Sequence, residues 1–167
     1  VTGGTLSNFT GSGTTYTATL TPTGSGNLII QETTINVAEG TFTDSPGNSN
    51  IAATQFNWTY DNSPPSMIIA SSTPGITNGS ASDDETINLT FTSSQVTTNF
   101  TINDITVFGG TLSNFSGSGK TYSATLTPIP TKTSFKLETT IDVNAGSFTN
   151  NDGIANTAAI QFKWTYS

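Results

Sequence analysis

Apolar and polar residues alternate one for one in short runs along much of the chain. Ile87, Leu89 and Phe91 alternate with Asn88 and Thr90. Tyr122, Ala124 and Leu126 alternate with Ser123 and Thr125. Ile160, Phe162, Trp164 and Tyr166 alternate with Gln161, Lys163 and Thr165. A period of two puts every second side chain on the same face of an extended strand, so each run predicts a strand with one buried face. Residues 67–70, 105–107 and 135–143 predict three more, the last with Ile141 and Val143 on one face, and Phe148 predicts a brief strand after Gly146. Between the runs lie Pro74-Gly75, Asn78-Gly79, Gly109-Gly110, Ser116-Gly117-Ser118-Gly119 and Asn151-Asp152-Gly153. These residue types supply the left-handed or fixed φ values that reverse a chain. A helical spacing of apolar residues occurs nowhere. The expectation is an all-β, immunoglobulin-like antiparallel β-sandwich with no helix longer than one turn, cored by Phe91, Leu126, Ile141, Phe162 and Trp164.

The same pattern occurs twice. Residues 1–61 align without a gap on residues 107–167, at an offset of 106, with about 35 of the 61 positions identical. Thr19-Leu20-Thr21-Pro22 repeats as Thr125-Leu126-Thr127-Pro128, Glu32-Thr33-Thr34-Ile35 as Glu138-Thr139-Thr140-Ile141, and Trp58-Thr59-Tyr60 as Trp164-Thr165-Tyr166. A period this long exceeds a solenoid turn and suits tandem sandwich domains of about 100 residues each. The phase divides the chain into a partial repeat over 1–61, holding only the C-terminal strands, and a complete repeat over 62–167. The partial repeat is expected to match residues 107–167 strand for strand and to leave apolar faces open unless another segment covers them. Because the chain opens inside a strand-like stretch, its natural start is expected upstream. The junction Asp61-Asn62-Ser63-Pro64-Pro65 carries two fixed φ angles and predicts a semi-rigid linker.

Composition narrows the chemistry. Only 9% of residues are charged and 32% are hydrophobic, while Thr and Ser make up about a third, a bias towards half-exposed strand surface. The chain has no Cys and no His, and its four basic residues are all Lys. Disulfides, thiolate zinc sites, cysteine nucleophiles and histidine bases are therefore out of reach. A net charge of −7 disfavours nucleic acid and anionic membrane, where binding depends on neutralising phosphate, and leaves divalent cations as conceivable partners. No apolar run approaches the roughly 18 residues of a membrane span, so membrane insertion of this segment is not expected. The acidic run Asp83-Asp84-Glu85 reads as a solvated turn. It does not read as the two carboxylates facing each other across a cleft that glycoside hydrolysis requires. No catalysis is expected.

The stretch Asp104-Ile105-Thr106-Val107, then Gly110-Thr111-Leu112, Thr121-Tyr122, Ala145-Gly146-Ser147-Phe148-Thr149 and Phe162-Lys163-Trp164-Thr165-Tyr166 resembles the bacterial Ig-like repeats of very large surface adhesins. The resemblance covers essentially the whole chain. It implies an extracellular, cell-surface location and a role as an extender: a stalk, spacer or filament unit. Such a unit meets neighbouring repeats or copies of itself and holds a terminal adhesive domain, elsewhere in the full chain, away from the cell. It also implies calcium at repeat junctions in several relatives. The loop Asp44-Ser45-Pro46-Gly47-Asn48-Ser49-Asn50 resembles an Asp-x-x-Gly-Asn-x-Asn turn of that family, and its partner reads Asn150-Asn151-Asp152-Gly153-Ile154-Ala155-Asn156.

Two readings of these loops stand side by side. As metal ligands, Asp44, Asn48 and Asn50 in one repeat, and Asn150, Asp152 and Asn156 in the other, would offer the hard oxygens that Ca²⁺ prefers. Asp61 and Asp104 would join them near the junction. As turn residues, the same side chains would hydrogen-bond their own backbone. Neither loop alone carries the six to eight oxygens calcium takes, and Gln95 stands where the resemblance places Glu. The paired aromatics Trp58, Tyr60, Trp164 and Tyr166 are expected in the core. If exposed, they would favour a second function, a carbohydrate-binding module of a secreted protein. A third is polymerisation by strand donation, with residues 62–106 of one subunit completing the open repeat of the next.

Overall fold

The structure is a computed structural model that describes residues 1–24, 26, 30–129 and 136–167. It divides into two compact units, Val1–Ser63 and Pro64–Ser167.

Unit 1 holds two antiparallel pairs. Strand β1 (Gly4–Ser12) pairs with β2 (Thr15–Pro22), and β3 (Ile30–Ile35) pairs with β4 (Phe56–Asp61). A register shift interrupts the first hairpin between Ser7 and Thr10, where Asn8 adopts φ 53°. Asn is among the few side chains that tolerate this left-handed conformation, which fits an extra residue bulged out of the ladder.

Unit 2 is a two-layer sandwich. One layer is the antiparallel sheet β5 (Met67–Ser71), β7 (Ile87–Thr97), β9 (Gly110–Pro128), in that order. The other runs β6 (Ser80–Ser82), β11 (Phe162–Tyr166), β10 (Leu137–Val143), β8 (Ile105–Phe108). Its β6–β11 pair is parallel, a short edge that the otherwise antiparallel expectation did not contain. The only helical turn among the described residues is a 3₁₀ turn at Ile102–Asp104. Within β9 the chain folds back on itself: Asn114 Nδ2 donates to Thr125 Oγ1 at 3.4 Å, and the hydroxyls of Ser116 and Ser123 lie 3.2 Å apart.

The alternation fills the space between the layers. Ile69, Leu89, Phe91, Tyr122, Ala124 and Leu126 face inward from one sheet, and Ile105, Ile141, Val143, Phe162 and Trp164 from the other, all buried. The five residues named as core from sequence are among them. Each fully buried large side chain stabilises the fold by about 1.5–3 kcal/mol relative to exposure. Trp164 is packed edge-on by Tyr166, and its Nε1 donates to Ser82 Oγ at 3.0 Å, so the edge strand β6 also satisfies the buried indole.

Three expectations differ from the structure. Ile160 is 84% exposed: the last strand begins only at Phe162, and Ile160 precedes the pleat that would have turned it inward. Phe148 is buried but lies outside any strand, beside the isolated bridge Thr149–Ala155. Trp58, expected in the core, is 39% exposed: among the described residues of unit 1 no strands correspond to β5 and β7, which lie beside β9 in unit 2. Phe135, at the start of an expected strand, lies outside the described residues.

The two units repeat each other in detail. Thr33 Oγ1 donates to Trp58 O at 2.8 Å, and Thr139 Oγ1 to Trp164 O at 2.9 Å. Phe9 stacks on Tyr16 with centroids 5.6 Å apart, and Phe115 on Tyr122 at 5.8 Å. Asn114 has φ 53°, as Asn8 has. Gly109 shows why the repeated glycines persist: at φ 73°, a Cβ would sit 2.5 Å from Glu138 O.

Candidate functional site

The residues singled out as oxygen donors lie in two loops and at two strand ends, and their hydrogen bonds define what each does. In unit 2, Asn156 is 3% exposed. Its Oδ1 accepts the Phe148 N–H at 2.9 Å, and its Nδ2 donates to Asn144 O at 2.9 Å and Thr157 O at 2.8 Å. Asn150 is 5% exposed. Its Oδ1 accepts from Asp152 N and Ile154 N, at 3.1 and 2.9 Å, and its Nδ2 donates to Gln95 Oε1 at 2.6 Å. One asparagine thus stands in for the peptide partners that the loop 144–157 lacks, and the other closes the tight turn 150–154. Asp152 is exposed at the tip of that turn.

Unit 1 uses the same scheme nearer the surface. Asn50 Oδ1 accepts from Thr41 N and Phe42 N, and its Nδ2 donates to Ala38 O and Ile51 O. Asp44 replaces Asn150 as the turn acceptor. Its carboxylate takes Asn48 N at 2.8 Å and Asn48 Nδ2 at 2.9 Å. The Asn48 side chain, then the Asn48 N–H, hold the Asp44 carboxyl below its ordinary range.

The strand-end carboxylates are likewise engaged locally. Asp104 Oδ2 accepts from Thr101 N at 2.7 Å and Thr101 Oγ1 at 3.0 Å, capping the 3₁₀ turn. Asp61 Oδ1 accepts from the Ser63 hydroxyl and N–H, and these bonds, the hydroxyl first, lower its pKa. Among the described residues there is no group of three or more His, Asp or Glu side chains that could hold a metal ion. The structure brings Asn150, Asp152 and Asn156 into one loop, and Asp44, Asn48 and Asn50 into its counterpart. The amide oxygens of Asn150, Asn156 and Asn50 point at backbone N–H donors, which is turn chemistry. An amide or carboxylate oxygen that accepts one N–H keeps a further lone pair, so this turn role and an approach to a cation do not exclude each other.

A feature not singled out residue by residue from the sequence is a cavity of about 670 Å³ in unit 1, lined by Phe9, Tyr16, Phe42, Thr43 and Asp44 among others. Phe9 is 72%, Tyr16 54% and Phe42 61% exposed there, whereas their equivalents Tyr122 and Phe148 are 5% and 1% exposed and Phe115 is half-buried. The signal was available in the repeat: identical aromatics, with the 62–106 stretch present only once. Unit 2 has a smaller hollow of about 210 Å³ bordered by Met67, Ile68, Ile69, Asn78 and Ile160. It carries no titratable group.

A family model described as a bacterial Ig-like domain matches residues 1–60 and again residues 61–166. Searches of curated proteins and of solved structures returned no match.

Proposed function

Because the chain belongs to the bacterial Ig-like domain family, with one match to each of its units, we propose that it is a structural repeat of a cell-surface protein, an extender or stalk module that carries a binding domain rather than binding or reacting itself. The observation that supports this most is the faithful repetition of framework geometry. The Thr33–Trp58 and Thr139–Trp164 bonds, the Asn50 and Asn156 loop clamps and the stacked Phe–Tyr pairs all recur, and every one of them serves the fold. Residues that recur as scaffold are what a module selected for mechanical continuity needs. The acidic run Asp83-Asp84-Glu85 sits in a connecting loop with Asp83 and Glu85 exposed, as a solvated turn would.

The exposed rings of unit 1 resemble a sugar-stacking platform only superficially. Each occupies the place of a core or core-facing residue in unit 2, so their exposure reflects the lack of a cover. Calcium enters the proposal as a stiffening ligand. Its test is thermal unfolding in millimolar calcium against chelator, since a ligand of the folded state alone raises the midpoint. An unchanged midpoint removes calcium and leaves the loops to their asparagines.

The main reading is tested by display. A reporter binding domain is anchored on a cell through increasing numbers of these repeats. Its access to a bulky target should rise with repeat number, while the repeats alone show no retention on glycan arrays or host cells. Saturable binding by the repeats themselves would replace the structural reading with the carbohydrate-binding or adhesive one.

A further inference from the structure

The aromatic cavity of unit 1 has an occupied counterpart. In unit 2 the ring of Phe100 fills the corresponding place, 5.1 Å from Tyr122, 5.3 Å from Phe148 and 5.8 Å from Phe115, centroid to centroid, and only 4% exposed. The residues before it anchor the same site. Thr97 O accepts the Tyr122 hydroxyl at 3.0 Å. Asn99 grips one residue at two points: its Oδ1 accepts Thr149 N at 3.0 Å and its Nδ2 donates to Thr149 Oγ1 at 3.1 Å. Gln95 Oε1 takes the Asn150 amide. The receiving side chains recur in unit 1 as Tyr16 for Tyr122, Phe42 for Phe148, Phe9 for Phe115 and Thr43 for Thr149, with the Phe–Tyr stack already in place.

We infer that the open face of unit 1 is a docking surface for an additional β-segment with the sequence pattern of residues 64–106, which seats a Phe100-type ring in the Phe9–Tyr16–Phe42 cavity and lays strands like β5 and β7 across the exposed sheet. Unit 2 is the template: there, the 64–106 segment contributes β5, β7, Phe100 and the edge strand that bonds Trp164. The chain contains one such segment and two faces that need it, and unit 2 already uses it. Exchange between copies of the chain would therefore cover one face by opening another, so the occupant is a further segment of this kind. It docks by adding strands, with main-chain bonds giving affinity and the aromatic seat giving register.

One position sets specificity. Asp44 stands where Asn150 meets Gln95, and its hydrogen bonds to Asn48 keep it ionised. A carboxylate only accepts, so the occupant must donate there. Glutamine can turn its NH₂ group to Asp44, whereas glutamate would bring like charge to it.

The test uses the intact chain and a synthetic peptide of residues 64–106. Trp164 is already fully buried, so a blue shift of tryptophan fluorescence on titration reports Trp58. A saturable one-to-one shift is expected, together with slowed amide exchange over β2. Phe100→Ala in the peptide should weaken binding at least about tenfold. Gln95→Glu should weaken it, and more so at low salt. Phe42→Asp in the chain should abolish the shift while the unfolding of unit 2 is unchanged. Because the free peptide can aggregate, a second form joins the 64–106 segment ahead of Val1 through a flexible linker. A second cooperative unfolding transition that buries Trp58 is then expected. No saturable shift and no second transition would overturn the inference. So would binding indifferent to F42D and F100A, or self-association of the chain alone that buries Trp58 and assigns the face to a second copy.

Discussion

The amide oxygen of Asn156 accepts the Phe148 N–H at 2.9 Å, while the same side chain donates to Asn144 O and Thr157 O. A buried amide that makes three bonds to backbone cannot be shortened without leaving peptide groups unpaired. Each bond is worth about 1 kcal/mol net, and an orphaned buried group costs about 1–3 kcal/mol. Asn156→Ala should therefore destabilise unit 2 by about 2–4 kcal/mol in urea unfolding. Asn156→Asp should also destabilise it, since it keeps the acceptor but sets a carboxylate against two carbonyls. A loss below 0.5 kcal/mol in both would show that the loop is held by something else.

Asn50 makes the equivalent bonds in unit 1 with more of its loop in water. Water can replace what the side chain gives there, so Asn50→Ala should cost about 1 kcal/mol or less. A full-sized loss at Asn50 would indicate that this loop is more enclosed than its exposure indicates. The check is native-state amide exchange at Phe42 in both forms.

Much of this fold was legible in the chain. Phe162, Trp164, Ile141 and Leu126 declare their burial by strict alternation, and the offset of 106 declares the repeat. What escaped has physical reasons. β6 is Ser80-Ala81-Ser82, a parallel edge with no apolar face to read. The first arm of β9 is a polar hairpin arm held by Asn and Ser side chains rather than by a buried stripe. Phe100 sits between Asn99 and Thr101 with no period around it, yet four rings meet it. The loops 44–50 and 150–156 were ambiguous because a calcium loop and an asparagine-clamped turn draw on the same residues. The turn bonds those oxygens make depend on which way they point, and composition does not encode direction.

Trp164 and Trp58 provide a controlled pair: the same residue with the same Thr bond, fully buried in one unit and 39% exposed in the other. Trp164→Ala should cost about 3–5 kcal/mol, the range for large core truncations with a cavity left behind. Trp58→Ala leaves no enclosed cavity and should cost under about 1.5 kcal/mol of unit 1 stability. Differential scanning calorimetry separates the two transitions. Equal losses would mean that the face of unit 1 is covered in solution.

Tyr122 makes unit 2 sensitive to alkali. Burial raises its pKa above the ordinary 10.0, because the phenolate is poorly solvated there, and its hydroxyl donates to Thr97 O. The folded state therefore binds the phenolic proton more tightly than the unfolded state. That contribution to stability is fully present below the unfolded pKa of 10.0 and is lost as pH rises through the higher folded value. Ionisation would also turn the donor into an anion facing a carbonyl. The unfolding free energy of unit 2 should thus be level from pH 7 to about 9.5 and fall beyond it. Tyr122→Phe removes the titrating group while keeping the ring against Phe100 and Phe115. The variant should lose about 1 kcal/mol at neutral pH from the missing bond, yet show a shallower decline above pH 10. Urea midpoints at pH 8 and pH 10.5 for both proteins give the comparison. If the two decline in parallel, the alkaline loss comes from lysine deprotonation or general charge repulsion, and Tyr122 is not its source.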